Sequence, residues 1–128
     1  MAVVVDASIL IAILDRNDAK HAAAIAAVDR VRSKGLRIPA TAYAEALVRP
    51  FRRGAAAIAE VDETIDDLAI DVVAISRSIA YRAAGIRARH PSTALPDALV
   101  VATGEEFGEL VLTADASWRR FGARAEVI

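Results

Sequence analysis

The hydrophobic pattern opens with three consecutive valines, Val3 to Val5, which are followed at once by Asp6. A run of β-branched residues without polar alternation is typical of a strand covered on both faces, as in a parallel sheet. Residues 7–14 are then apolar almost all round, which predicts a helix buried in the core or in a partner interface. The chain therefore begins with a buried strand that ends in a carboxylate at the start of a helix.

The rest of the chain repeats this alternation of short apolar strands with helices. Further strands are predicted at residues 36–39, 71–74, 110–113 and 125–128. Further helices are predicted at residues 19–33, from Thr41 towards Pro50, around residues 58–68, and at 77–88, 96–107 and 117–121. Asp18, Thr41 and Ser76 are suited to cap helices, and Pro50 should kink or end its helix near Arg49. Pairs of helices between the first four strands predict a parallel sheet with helices on both faces.

The composition fits one compact domain over residues 1–128. Hydrophobic residues make up 55% of the chain but aromatic residues only 5%, so aliphatic side chains must build the core. There is no cysteine, which fits a reducing cytoplasm and excludes disulfides and thiolate metal sites. No signal peptide is visible, nor an apolar run near the ~20 residues that a membrane helix needs, so we expect a soluble cytoplasmic protein without membrane contact.

Four acidic residues occupy equivalent positions in this alternation. Asp6 and Asp115 follow the carboxyl ends of predicted strands, Asp97 opens a helix, and Glu45 lies one turn into the helix after the second strand. Right-handed crossovers bring these positions to one edge of the sheet, where open α/β sheets bind their ligands. The four carboxylates can therefore converge.

Each acid also has a purely structural interpretation. Asp6 and Asp115 can cap the helices that follow them, Asp97 can interact with a helix dipole, and Glu45 can pair with Arg49 four residues later. These interpretations do not explain why four mutually repelling carboxylates share one edge. A divalent cation would compensate them, and oxygen-only ligands favour Mg²⁺ or Mn²⁺ over zinc.

The net charge of −1 argues at first against a nucleic-acid partner. If four carboxylates bind metal, however, 13 acidic groups remain against 16 basic ones, so the total charge does not decide the question.

Four short motifs in this order resemble the PIN-domain nucleases, and among them the VapC toxins of bacterial type II toxin–antitoxin pairs. The resemblance spans the whole chain. Its motifs are Val4-Val5-Asp6-Ala7-Ser8, Ala44-Glu45, Leu95-Pro96-Asp97-Ala98-Leu99-Val100-Val101-Ala102 and Leu112-Thr113-Ala114-Asp115.

The resemblance implies an α/β fold, a three-layer α/β/α PIN-like domain with a five-stranded parallel sheet in the order 3-2-1-4-5. It implies a Mg²⁺-dependent endoribonuclease, with Asp6, Glu45, Asp97 and Asp115 as catalytic metal ligands and Mn²⁺ as a possible substitute. The RNA target would be a tRNA or rRNA, the partner a cognate antitoxin, and the oligomer a homodimer. Several relatives carry another acid where this chain has Ser117, so the number of metal ions bound, one or two, stays open.

Other residues receive supporting roles in this interpretation. Ser8, Thr113 and Ser117 are candidates to orient carboxylates or metal-bound waters, although each can equally serve a cap or turn. The candidate RNA contacts are arginines near the acids: Arg49, Arg52, Arg53, Arg87, Arg89, Arg119 and Arg120, of which Arg49, Arg89 and Arg119 are the foremost.

Aromatic side chains and one pair of helices complete the predictions. Trp118 could stack on a base but suits the core better, and Tyr81 and Phe107 are predicted to be core residues. The helix of residues 7–14 and the helix carrying Ile58, Val61, Ile65 and Leu68 should help to form a groove for an antitoxin segment.

Two other classes of function fit the sequence less well than the nuclease does. A phospho-receiver domain has a similar sheet and binds Mg²⁺, but it needs paired acids after the first strand, an aspartate after the third and a late lysine. Here Asp6 stands alone, Ala74 follows the third strand, and the last lysine is Lys34. A catalytically inactive PIN fold used only for binding would be expected to lose acids, yet all four are present.

Overall fold

The computed structural model describes all residues from Met1 to Ile128. Five strands form one sheet: β1 (Val3–Val5), β2 (Leu36–Pro39), β3 (Ile70–Val73), β4 (Val111–Thr113) and β5 (Ala125–Val127). Six α-helices connect them: α1 (Ala7–Leu14), α2 (His21–Val31), α3 (Ala40–Arg53), α4 (Ala55–Asp67), α5 (Arg77–Arg89) and α6 (Leu95–Phe107). Two 3-10 segments, Arg32–Lys34 and Ala116–Arg124, precede β2 and β5.

The sheet is entirely parallel and its strand order is β3-β2-β1-β4-β5, as predicted. Strand β1 lies at the centre, with Val4 opposite Arg37 of β2 and opposite Val111 of β4. The chain turns from one half of the sheet to the other around β1. The carboxyl end of β1 is consequently the topological switch point, where α/β sheets bind ligands.

Helices cover both sides of the sheet, which gives the predicted α/β architecture of three layers. The core joins the three valines of β1 to Ile9 and Leu10 of α1 and to Val100 and Val101 of α6. Trp118 also belongs to the core, with only 1% of its surface exposed. The prediction that Trp118 packs in the core is therefore confirmed.

Pro50 was predicted to kink or end its helix near Arg49, and the predicted end was wrong. The helix does not end near Arg49 but continues to Arg53, with Pro50 inside its last turn. Proline removes one backbone donor, and the turn that follows remains closed because Gly54 N donates to the Pro50 carbonyl over 3.0 Å.

Two of the three predicted caps are also wrong. Thr41 lies inside α3, whose cap position is Pro39, and α2 is preceded by Lys20 without a side-chain cap. Asp18 instead accepts a hydrogen bond from Lys20 N in a turn before the helix. Ser76 does cap α5, by accepting from Ile79 N over 3.1 Å.

Tyr81 and Phe107 were wrongly predicted to be core residues. The side chain of Tyr81 on α5 is 83% exposed, and Phe107 at the end of α6 is 39% exposed. The inner faces of these helices are filled by small and aliphatic residues such as Ile79, Ala83 and Ala102, which leaves the aromatic rings outside. The Phe107 ring instead contacts the guanidinium of Arg37 at 4.6 Å.

Candidate metal and nucleic-acid site

Asp6 is the most deeply placed of the four acids. It follows β1 directly and caps α1, with its Oδ1 accepting a hydrogen bond from Ile9 N over 3.2 Å. Only 5% of its surface is exposed. An ionised carboxylate in such a position requires hydrogen bonds on both oxygens.

Two hydroxyl groups supply these hydrogen bonds. Ser8 Oγ donates to Asp6 Oδ1 over 2.6 Å, and Thr113 Oγ1 donates to Asp6 Oδ2 over 2.6 Å. Each hydroxyl also accepts a backbone hydrogen bond from the turn after β4: Ala114 N donates to Ser8, and Asp115 N to Thr113. Ser8 and Thr113 thus tie Asp6 to the segment that carries Asp115.

Asp115 also has the capping role that was considered for it. Its Oδ1 accepts a hydrogen bond from Ser117 N over 2.9 Å at the start of the 3-10 segment. Its Oδ2 accepts none, and the residue is exposed. The Ser117 side chain makes no hydrogen bond in the structure, so Ser117 contributes to this turn only through its backbone.

Asp97 and Glu45 have no such structural role. Asp97 lies in the first turn of α6, where the cap position is Ala94, and Glu45 lies in the second turn of α3. Neither carboxylate forms an ion pair, and the considered pairing of Glu45 with Arg49 does not occur. Their oxygens are therefore free to bind a ligand.

One cavity of about 230 Å³ brings the four acids together. Its wall is completed by small and apolar side chains and by Ser8; the full lining is Asp6, Ala7, Ser8, Ile11, Ala42, Glu45, Asp97, Val100, Asp115 and Trp118. Trp118 shapes the wall of the cavity from the core and is too buried to stack on a base.

The carboxylates influence one another electrostatically. Burial raises the pKa of Asp6 above its ordinary value; the hydrogen bonds from Ser8, Thr113 and Ile9 oppose the rise, and the charge of Asp97 adds to it. Burial is also the main cause that raises the pKa of Glu45, followed by the charges of Asp97 and Asp6. Burial and then the charge of Asp115 raise the pKa of Asp97, against a lowering by Arg120.

This donor set suits a hard divalent cation. The four acids present only oxygen atoms, and none of them is neutralised by an ion pair. No three acidic or histidine side chains are gathered around one point as a direct three-ligand site requires. Mg²⁺ commonly binds through one or two carboxylates while keeping several waters, so the spread arrangement remains compatible with it.

The arginines that the sequence suggested as RNA contacts do not all lie near the acidic cavity. Arg49, Arg89 and Arg119 do not line the acidic cavity. Arg49 lines a different cavity, of about 320 Å³, between α1, α3 and α4. Arg120 is the arginine whose charge affects Asp97, and it donates a hydrogen bond to Thr93, a buried residue that the sequence did not single out.

A parallel α/β domain with acids gathered at the switch point of its sheet defines a narrow class of proteins. The PIN domain family model matches residues 3–124, so the chain belongs to the PIN domain family. A comparison with curated proteins found no match.

Solved structures with the same fold include several toxins. A toxin–antitoxin complex from Klebsiella pneumoniae is 19% identical, with a TM-score of 0.76 over 98% of this chain and 96% of that one. VapBC2 from Rickettsia felis, bound to a promoter DNA fragment, is 10% identical, with a TM-score of 0.77 over 99% and 98%. VapC20 from Mycobacterium tuberculosis, described as a sarcin-ricin loop cleaving toxin, is 19% identical, with a TM-score of 0.74 over 94% and 95%. At these identities the likeness shows the fold alone.

None of the helices combines the length and the apolar character needed to cross a membrane.

Proposed function

We propose that this protein is a Mg²⁺-dependent endoribonuclease, the VapC-type toxin of a toxin–antitoxin pair, and that it cleaves a tRNA or rRNA to stop translation. The observation that carries the proposal is the single cavity lined by Asp6, Glu45, Asp97 and Asp115 in a chain of the PIN family. Similar structures described as toxins, one of them acting on the sarcin-ricin loop, support the choice of substrate class. Residues 1–128 would form one PIN domain that acts in the cytoplasm.

The four acids would share the work of holding the cation. Asp97 and Glu45, whose oxygens accept no hydrogen bond, are the side chains most free to coordinate Mg²⁺ or Mn²⁺, directly or through water. Asp6 is fixed in place by Ser8 and Thr113, so it would supply a rigid negative charge at the floor of the cavity. Asp115 Oδ2 is free to accept a hydrogen bond from a water at the rim.

Mg²⁺ held by these acids would supply two kinds of chemistry, neutralisation of charge on the scissile phosphate and a lowered pKa for the water that acts as nucleophile once it has lost a proton. The protein itself holds some of the carboxylate oxygens of the site in fixed positions. Hydrogen bonds restrain the carboxylate of Asp6 and Oδ1 of Asp115, so these oxygens need little rearrangement when the substrate binds.

RNA cleavage by the purified protein tests this function. Asp97→Asn is the sharpest variant, because Asp97 makes no hydrogen bond or ion pair whose loss would disturb the fold. It should reduce cleavage at least about 100-fold, since metal ions contribute several kcal/mol to such reactions. Asp67→Asn is the matched control: Asp67 is exposed at the end of α4 and makes no hydrogen bond or ion pair, so cleavage should be unchanged.

Chelation by EDTA should stop cleavage and added Mg²⁺ should restore it. Full activity of Asp97→Asn, or activity that is indifferent to EDTA, would overturn the mechanism. The protein is also incubated with total cellular RNA. If this RNA stays intact although Mg²⁺ stabilises the folded protein, the function to be assigned is that of a catalytically inactive PIN fold used only for binding.

The antitoxin is proposed to occupy the cavity between α1, α3 and α4. The lining of this cavity includes the apolar side chains of Ile11, Leu14, Ala46 and Val61 and the two basic residues Arg49 and Arg53. Ile58, Ile65 and Leu68 do not line this cavity, so the α4 contribution is smaller than the sequence suggested. Co-expression with the product of the adjacent small gene should give a stable complex, and light scattering of the free protein should give the mass of a homodimer.

A further inference from the structure

Arg120 is held in one orientation by three neighbours. Its Nη2 donates to Thr93 Oγ1 over 3.1 Å, its Nη1 donates to the Ser117 carbonyl, and its guanidinium lies 4.6 Å from the centre of the Phe121 ring. Thr93 and Phe121 are both buried, with 0% and 3% of their surfaces exposed. A flexible surface side chain is thereby converted into a positioned one.

The charge of Arg120 has no carboxylate partner. Five other arginines form ion pairs, namely Arg30, Arg32, Arg37, Arg82 and Arg124. Arg120 forms none. It lies in the 3-10 segment that Asp115 caps, and its hydrogen bond to Thr93 joins it to the loop that leads into the first turn of α6, where Asp97 lies. Its charge accordingly opposes the rise in the pKa of Asp97. The guanidinium of Arg120 is therefore a positive charge without an ion pair beside the acidic cavity.

An arginine in this state is suited to an anionic ligand. A guanidinium carries five N–H donors in a planar fork that matches two oxygens of a phosphate. Two of these donors are used by Thr93 and Ser117, and three remain. Since the side chain is already ordered, binding a phosphate would cost little further conformational entropy.

We propose that Arg120 binds a non-bridging phosphate oxygen of the RNA strand at the acidic cavity, and that Thr93 is the positioning residue that aims it. This inference rests on the proposed ribonuclease function and deepens it, because it assigns a phosphate contact next to the metal ligands. Both Arg119 and Arg120 are exposed, but Arg119 makes no hydrogen bond or ion pair in the structure, so no neighbour fixes the orientation of its side chain.

A structural role for Arg120 makes different predictions. If its charge only offset the repulsion among the carboxylates, its loss would lower the melting temperature without changing affinity for RNA. A phosphate contact must instead alter both the affinity and its dependence on salt, since each contact to a single strand releases counterions.

The test measures binding of a labelled, mixed-sequence single-stranded RNA at several salt concentrations. Mixed sequence is adequate because phosphate contacts do not depend on the bases. All variants are made in the Asp97→Asn background, which is expected to cleave at least about 100-fold more slowly, and Mg²⁺ is present. Arg120→Ala should weaken binding about 10-fold, as expected for a charged hydrogen bond, and should reduce the salt slope by about 0.7.

Two further variants separate position from charge. Arg120→Lys keeps the charge but loses the fork, so it should retain the salt slope with weaker binding. Thr93→Val keeps the shape of the side chain but removes the acceptor, so its affinity should fall between wild type and Arg120→Ala. Arg77→Ala is the matched control: Arg77 begins α5, at the opposite end of that helix from the loop before Asp97, and makes no ion pair.

If Arg120→Ala binds RNA with the same affinity and the same salt slope as Arg77→Ala, the proposal is overturned. This holds whether or not the melting temperature of Arg120→Ala changes. If Arg120→Ala does not fold, Thr93→Val decides, and unchanged affinity in that variant overturns the proposal equally. In the cleaving protein, Arg120→Lys should raise KM more than it lowers kcat. Failure of the ribonuclease function itself would give a different result. The protein would then show no metal-dependent cleavage, but its RNA binding would still be weakened by Arg120→Ala.

Discussion

Thr113 Oγ1 donates a 2.6 Å hydrogen bond to Asp6 Oδ2, although 107 residues separate the two in the sequence. Replacing Thr113 with valine removes the donor while keeping the shape of the side chain. Because Asp6 is buried, its oxygen would be left without a partner, and the free energy of unfolding should fall by about 1–3 kcal/mol.

Thr113→Ser is the control for this loss, since it keeps the hydroxyl and removes only a methyl group. Denaturant unfolding of both variants at pH 7 measures the difference. A valine variant as stable as the serine variant would show that the hydrogen bond does not support Asp6.

A second prediction concerns stability and pH in the absence of metal. The pKa values of Asp6, Glu45 and Asp97 are raised, so these groups bind protons more tightly in the folded than in the unfolded state. The free energy of unfolding contributed by these groups should therefore decrease as pH rises from their ordinary values, 3.8 and 4.5, through the raised ones.

Unfolding curves of wild type and Asp97→Asn across this pH range measure the effect of Asp97 together with its influence on Asp6 and Glu45. Carboxylates that Asp97 does not affect cancel in the difference. Asn cannot ionise, so the variant should gain relative stability as pH rises. A difference that is constant with pH would contradict the raised pKa of Asp97.

Added Mg²⁺ should raise the melting temperature. A ligand that binds only the folded state stabilises it by RT ln(1 + [L]/Kd), about 2.7 kcal/mol at one hundred times Kd. For a domain of this size that corresponds to a shift of several degrees, readable by calorimetry. Asp67→Asn should show the full shift and Asp97→Asn a much smaller one; equal shifts in both would place the metal elsewhere.

Two glycines in neighbouring helices should respond to alanine with opposite signs. A Cβ on Gly104 of α6 would lie 2.7 Å from Val111 Cγ2 and 2.9 Å from the Glu109 carbonyl oxygen, so Gly104→Ala should destabilise the protein by about 1–3 kcal/mol. A Cβ on Gly85 of α5 meets only the flexible end of Arg89 at 3.4 Å, so Gly85→Ala should stabilise it by about 0.5–1 kcal/mol. Denaturant unfolding measures both, and a stable Gly104→Ala would show that α6 can move away from β4.

The parallel sheet and its strand order were predictable because the apolar strands are short, uninterrupted and separated by helices. The position of Asp6 followed from the same pattern, since Asp6 directly follows the buried valines and must therefore lie at the carboxyl end of that strand. Pro50 and Thr41 misled the prediction because their local preferences were outweighed by the continuation of α3 along the sheet. Tyr81 misled it because a large aromatic side chain suggests burial, whereas smaller aliphatic residues such as Ile79 and Ala83 fill the inner face of α5.

The details of the site were less accessible from the sequence. The bonds from Ser8 and Thr113 to Asp6 depend on the register between β1 and β4, and no local pattern fixes that register. Arg119 and Arg120 are adjacent and chemically identical, so only the path of the 3-10 segment decides which one meets Thr93. The catalytic and metal-binding roles of the four acids remain predictions.

The contact between β1 and the turn after β4 also determines when the site can exist during synthesis. Asp6 precedes Thr113 by 107 residues, so it is synthesised well before the segment that carries Thr113 and Asp115. A nascent chain that lacks β4 has neither the hydroxyl that holds Asp6 nor the fourth carboxylate. The four acids would therefore gather only after β4 and the turn that follows it have been synthesised, and a chain interrupted before β4 would contain β1 without the assembled cavity.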